Sequence, residues 1–389
     1  MTAVSVSKAD ARRIWLRSQR LDVREPFGAG PLATQAAIEH LGYVQIDTIN
    51  VIERCHHHIL FSRIPGYRRA DLRHVQSVDK SVFEYWTHAL AYVPISDFGF
   101  YLPQMRRHRK RSERWNQTVD AKDYRRVIRM IRKNGPITIR DIEDDVLVEK
   151  EFLWASRKPS KGALQHAFWN GILTISERTG MLKSYELTDR HFGWDTWPKP
   201  ATERQVLDNL INIALRTQGI VSIDSIRHTR RNLIVPLTRL LEDRVRRKEL
   251  VSVAVEDAGR LKHWAAPATL EAMPNPGEEL VHILSPFDPL VIQRQRTGLF
   301  FGYEHLFEAY VPKDKRKYGY FTLPVLVGDK FEAMIDLKTD RVAGKLLVQS
   351  WHWIGRRSKL LRNRIEDELH RFEAFQLRGE RQSAQALEQ

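Results

Sequence analysis

Residues 159–187 read PSKGALQHAFWNGILTISERTGMLKSYEL. The first part, 159–170, has helical spacing, with Leu164, Ala167 and Phe168 on one side and Gly171 as its stop. Two alternately apolar runs follow, 172–177 and 181–187, joined by Arg178-Thr179-Gly180, the signature of a hairpin. Upstream, a helix over 123–133 closes at Asn134-Gly135-Pro136, and a short segment, 137–142, leads to a charged turn. Helices followed by a hairpin are the order of a winged helix-turn-helix unit.

The same order recurs downstream. Helices are expected over 205–217, 222–229 and 236–248, with Gly219 closing the first and Pro236 suited to the first turn of the third. Strands over 250–255 and 260–264 flank Asp257-Ala258-Gly259. Two successive copies imply a tandem array, and the first region reads as a third, more divergent copy. There Ser7 caps a helix reaching residue 20, with Ala9, Ile14, Trp15 and Leu16 on its apolar side. A second helix, 32–41, ends at Gly42, and 43–49 reads as strand or extended loop. Residues 105–126 are strongly charged and read as a boundary, as a solvated face or as a phosphate contact. Beyond 278, strand-like runs at 318–327, 330–337 and 344–353 suggest a small β domain, sheet or barrel. A helix over 359–375 and a polar, frayed tail close the chain. The expected fold is therefore α+β: three winged units, 1–120, 121–200 and 201–277, a β domain at 278–356, and a helix with tail at 357–389.

Composition narrows the partners. The 389 residues contain 63 Lys and Arg against 48 Asp and Glu, a net charge of +15. Such a field attracts polyanions, of which nucleic acid is the commonest, because neutralised phosphates release counterions. A solvated basic surface is the plainer reading. One cysteine, Cys55, excludes an internal disulfide and a cysteine-held zinc or iron–sulfur centre, and is compatible with a reducing cytoplasm. The polar first ten residues lack the apolar core of a signal peptide, and no apolar run is long enough to span a bilayer.

Few residues suggest chemistry. Gln45 and Asp47 are two apart. If extended, they share one face about 6.5–7 Å apart, while Val44, Ile46 and Ile49 face the core. An amide and a carboxylate so placed would grip one water, the carboxylate drawing off a proton. The plainer reading is the polar face of a half-buried strand. His56, His57 and His58 diverge as consecutive residues and do not suit one metal ion; metal pairs need spacings such as i, i+4. No GxGxxG, phosphate-binding loop, GxSxG or HExxH motif is present. Tyr85, Trp86 and His88 fit an aromatic slot for an extruded base, or an ordinary aromatic core.

These residues lie in LGYVQIDTINVIERCHHHILFSRIPGY (41–67) and FEYWTHALAYVP (83–94), with LSPFDPLV (284–291) and KRKYGYFTLPVL (315–326) further on. In these stretches, and over 7–353 generally, the chain resembles the winged-helix DNA glycosylases of the YcaQ/AlkZ family, most nearly its YcaQ-like branch. The resemblance implies three winged units and a C-terminal β domain. It implies hydrolysis of the N-glycosidic bond of alkylated purines, chiefly N7-alkylguanine, and in some members the unhooking of interstrand crosslinks. The family's Gln-x-Asp form of the catalytic motif falls on Gln45-Ile46-Asp47. No cofactor and no metal is expected. The expected partner is alkylated or crosslinked duplex DNA, bound by a monomer in the cytoplasm, in the nucleoid. Arg63, Arg157 and Lys161 are candidate phosphate contacts, and Tyr85, Trp86 and His88 candidate pocket residues. The rival readings are a winged-helix transcription regulator without catalysis and a charge-driven chromatin protein; neither needs the Gln45/Asp47 pair.

Overall fold

The structure, a computed structural model, describes residues 3–115, 119–144, 158–228, 230–272 and 278–385. The chain forms two compact units, one of Met1–Arg69 with Leu207–Gln389 and one of Ala70–Val206.

The first unit begins with the strand Val4–Val6 and the helix Lys8–Ser18. Ser7 caps that helix, its hydroxyl accepting from the Asp10 amide at 3.1 Å. Ala11, Ile14 and Trp15, spaced three and four apart, are buried. The Trp15 ring meets Phe300 edge-on at 5.8 Å. Val4–Val6 runs parallel to Val251–Val255, which pairs with His263–Ala265 and through it with Ile220–Val221. The amino terminus thus completes a four-stranded sheet with strands more than 200 residues away in sequence.

The second sheet of this unit is open, not a barrel. Its antiparallel order is Val281–Ile283, Thr322–Val327, Lys330–Asp340, Lys345–Trp353. All six residues of Thr322–Val327 are buried, as befits a central strand. Lys359–Gln385 is one helix that packs on Val281–Ile283. Leu361, Ile365, Leu369 and Phe372 form its buried stripe. The tail expected to fray after 375 instead continues this helix through Gln385; its Arg, Glu, Gln and Ala residues are good helix formers.

In the second unit, Val82–Trp86 and Leu90–Pro94 make an antiparallel hairpin. Helices Phe98–Trp115 and Ala121–Asn134 follow, so the charged stretch expected to mark a boundary lies within one compact unit. Ile137–Thr138, Leu182–Leu187 and Leu173–Thr179 form a three-stranded sheet in that order, beside the helix Pro159–Trp169. Phe83, Tyr85, Phe98 and Phe168 are buried in its core. There the Arg178 guanidinium grips the Glu84 carboxylate, with Nη2 2.6 Å from Oε2. Further along the chain come the helices Glu203–Gln218, Ile223–Arg227 and Ile234–Arg246 and the strands Val251–Val255 and His263–Ala265.

Candidate active site

The Gln45/Asp47 segment begins where the helix Gly30–Leu41 stops. Gly42 takes φ +76°, a left-handed cap, and its amide donates to Ile38 at 2.9 Å. A Cβ there would stand 2.8 Å from Ile213 Cγ2, so this turn needs glycine for space as well as for conformation. The strand that follows is only Val44–Gln45. Val44, Gln45 and Ile46 are all buried, so the expected alternation, with Gln45 on an exposed polar face, does not hold. Burial of an amide side chain between two core residues argues for a built environment rather than a solvated strand face.

Asp47 leaves the strand. It is half-buried, and its Oδ1 accepts from the Ile49 amide at 2.8 Å, a local turn that holds the carboxylate. Cys55 opens the helix Cys55–Phe61, and its thiol donates to the Gln45 carbonyl at 3.0 Å. Burial pushes that thiol well above its ordinary pKa, and the charge of nearby Asp47 pushes the same way. Cys55 is therefore a protonated strut that ties the helix to the motif, with no nucleophilic character. Tyr310 also senses Asp47. Its phenol is raised first by partial burial and then by the Asp47 charge, yet the residue is 78% exposed. An exposed tyrosine whose phenol feels the charge of a half-buried carboxylate is a feature the sequence did not reveal; its one signal was an aromatic in a polar turn.

The loop between motif and helix is held from the far end of the chain. The Thr339 amide donates to the Val51 carbonyl at 3.2 Å, and Arg341 Nη2 donates to Asn50 and Ile52 carbonyls at 3.0 and 3.1 Å. Buried Glu53 pairs with Arg69, which also donates to the Gln376 carbonyl. The helix itself lies on the C-terminal helix, with Phe61 stacked on Phe375 at 4.5 Å and His58 on Phe372 at 4.4 Å. His58 Nε2 meets the Ile283 carbonyl at 2.7 Å, and burial lowers its pKa to about 4, so it is a neutral donor there. His56 is buried and His57 Nδ1 lies 2.7 Å from the Tyr67 hydroxyl, so the three histidines serve packing and hydrogen bonding.

Two other candidates need correction. Arg63 is fully buried and cannot touch DNA phosphate. Its guanidinium forks onto Asp288 at 2.7 and 3.1 Å and donates to the Gln19 carbonyl and side chain, both at 2.9 Å. A planar fork with five donors suits this internal clamp. Tyr85 is 1% exposed, and its hydroxyl donates to the Trp169 carbonyl at 2.6 Å. It is a core residue and cannot stack a base. Trp86 is 41% exposed at the hairpin end, near Trp169 at 5.4 Å, and His88 follows it, its Nδ1 3.3 Å from the Thr87 hydroxyl. Lys161 is exposed on Pro159–Trp169, and Arg157 lies outside the described residues. Gln45 and Asp47 belong to the first unit; Trp86, His88 and Lys161 belong to the second.

Comparison with known proteins decides the family. The model of the AlkZ-like DNA glycosylases matches residues 38–375. The chain belongs to the AlkZ-like DNA glycosylase family. Its fold is similar to that of the Streptomyces sahachiroi DNA glycosylase AlkZ, with a TM-score of 0.61 at 17% identity, over 96% of this chain and 97% of the other. This AlkZ-like enzyme is thus a DNA-repair glycosylase: its substrate is DNA and its reaction is hydrolysis of an N-glycosyl bond. Among the described residues of the glycosylase, no helix is long and apolar enough to cross a membrane.

Proposed function

We propose that this glycosylase excises N7-alkylguanine from duplex DNA, with Asp47 and Gln45 as the catalytic residues. The observation that carries the reading is the placement of the pair. A buried amide and a half-buried carboxylate, two residues apart, sit on a segment braced by Gly42, Cys55, Thr339 and Arg341. Such bracing holds a reactive geometry without the cost of ordering it during the reaction.

The chemistry follows from the leaving group. Alkylation at N7 makes guanine cationic, so it departs without protonation. The sugar then gains oxocarbenium character, which Asp47 stabilises while drawing a proton from the attacking water. Gln45 orients that water, as donor and acceptor at once. The protonated Cys55 thiol takes no part except through the Gln45 backbone. Unhooking of an N7-linked interstrand crosslink is the same cleavage applied to a tethered base, and a monomer suffices for both.

The test compares single-turnover release of N7-methylguanine, 1,N6-ethenoadenine and hypoxanthine from matched duplexes, with alkali revealing the abasic sites. The first is released efficiently and the two neutral bases poorly, because a neutral base needs a general acid that Gln45 and Asp47 do not offer. Comparable rates on all three would overturn the leaving-group argument.

A further inference from the structure

The first unit contains a cavity of about 260 Å³ lined by Arg227, His263, Gln293, Arg294 and Arg296, among others. Arg296 is 7% exposed. Its guanidinium lies 4.4 Å above the Trp15 ring and 4.5 Å from the Phe300 ring, and Nη2 donates to the Ile220 and Gln218 carbonyls at 2.6 and 3.3 Å. Rings and carbonyls would suffice for a structural strut. They leave two things unexplained. Nε, which has almost no accessible surface of its own, has no hydrogen-bond partner among the described residues. Among the described residues no carboxylate forms an ion pair with it either, and burial alone lowers the pKa to about 9, which still leaves the group cationic at neutral pH. Arg63, equally buried, shows the usual solution, a carboxylate fork from Asp288.

The lining also includes Leu261, Ile292 and Leu299, and its other cations are Arg227 and Arg294. Arg294 and Gln293 stand at the start of the helix Arg294–Phe301, whose N-cap makes no side-chain hydrogen bond. Its first-turn amides lack intrahelical acceptors and carry the positive end of the helix dipole. The acid of the lining, Asp224, is engaged by Arg227, whose Nε donates to Oδ1 at 2.7 Å. The cavity falls a little below the roughly 300–1,000 Å³ of drug-sized sites, which suits a compact anion.

We propose that this cavity is a phosphate-binding site, in which Arg296, Arg294 and the first amides of Arg294–Phe301 hold one phosphate group. The phosphate is either a free one, inorganic or on a mononucleotide, or one of the DNA backbone. Full-length protein is titrated calorimetrically with inorganic phosphate and with adenosine monophosphate at constant ionic strength, and separately with an undamaged duplex across a salt series. Arg294→Gln alters an exposed side chain and carries the test; Arg362→Gln is the charge-matched control, and Arg296→Met is compared where it melts cooperatively. A free ligand gives one saturable site that Arg294→Gln weakens about tenfold, the loss of one charge-assisted hydrogen bond, while Arg362→Gln does not. A backbone phosphate gives a log–log salt slope reduced by about one in Arg294→Gln, with inorganic phosphate competing against duplex. The proposal fails if neither ligand saturates and the slope is unchanged, or if both glutamine variants behave alike.

Discussion

At the scale of single residues, the chemistry rests on the difference between a charge and a dipole. In the proposed mechanism, Asp47 is the group whose charge meets the developing oxocarbenium ion. Asp47→Asn keeps the shape and removes the charge, so single-turnover excision of N7-methylguanine should fall by about 10²–10⁴-fold, with affinity for undamaged duplex unchanged. Gln45→Ala should cost less, since an amide only orients water; excision within a few-fold of wild type in Asp47→Asn would remove Asp47 from the mechanism. Arg63 and Asp288 illustrate a structural charge pair, both side chains fully buried. Asp288→Asn leaves the Arg63 cation buried beside a neutral group, and should lower unfolding free energy by about 3–5 kcal/mol in urea titrations. A loss below about 1 kcal/mol would mean that Gln19 and the Ile59 carbonyl, its other acceptors, hold the guanidinium alone.

At the scale of elements, the motif is positioned by what surrounds it. Gly42 sits at positive φ with Ile213 2.8 Å from any added Cβ. Gly42→Ala should therefore cost about 2 kcal/mol in stability, from the left-handed backbone and the clash together. Because Gln45 lies three residues on, excision should fall by more than the population of unfolded protein explains. Thr339 acts from the strand Lys330–Asp340; its hydroxyl bonds buried Gln376 and reaches the Ile52 carbonyl at 3.4 Å. Thr339→Val preserves volume and removes those bonds. The expected result is a loss of about 1–3 kcal/mol and slower excision at unchanged duplex affinity. Unchanged excision at saturating enzyme would show that the backbone contact from Thr339 to Val51 holds the loop without help.

At the scale of the whole molecule, histidine burial sets the response to acid. Burial is the first cause that lowers His40, His58, His191, His263, His282 and His305 to about 4. Each is neutral when folded and protonates near its ordinary value, about 6.5, when unfolded. Unfolding therefore takes up protons between those two values. The stability is fully present above about pH 6.5 and is lost as pH falls toward about 4. The melting temperature should decline from about pH 6.5 downward, before ordinary carboxylates titrate, and His58→Gln should flatten the decline. A melting temperature constant down to about pH 5 would refute this account.

The local architecture could be read from the chain because it depends on near neighbours in sequence. The cap at Ser7, the left-handed stop at Gly42, the hairpin around Gly180 and the helical stripe of Leu164, Ala167 and Phe168 follow from backbone sterics and periodicity. The Gln45/Asp47 pair stood out through the resemblance, whereas as a pattern of letters it fitted the polar face of a half-buried strand better. Burial is a property of distant partners, and there the reading stopped. Arg63 looked like a surface cation because arginine usually is one; Asp288, 225 residues away, makes it internal. Tyr85 looked available for stacking, and the Trp169 carbonyl closes it into the core. The bracing of the motif loop by Thr339 and Arg341, the effect of the Asp47 charge on Tyr310 and the seat of Arg296 against Trp15 and Phe300 join segments that no periodicity connects. Such contacts arise when the chain closes on itself, since hydrophobic burial acts on whichever surfaces meet, whatever their separation in sequence.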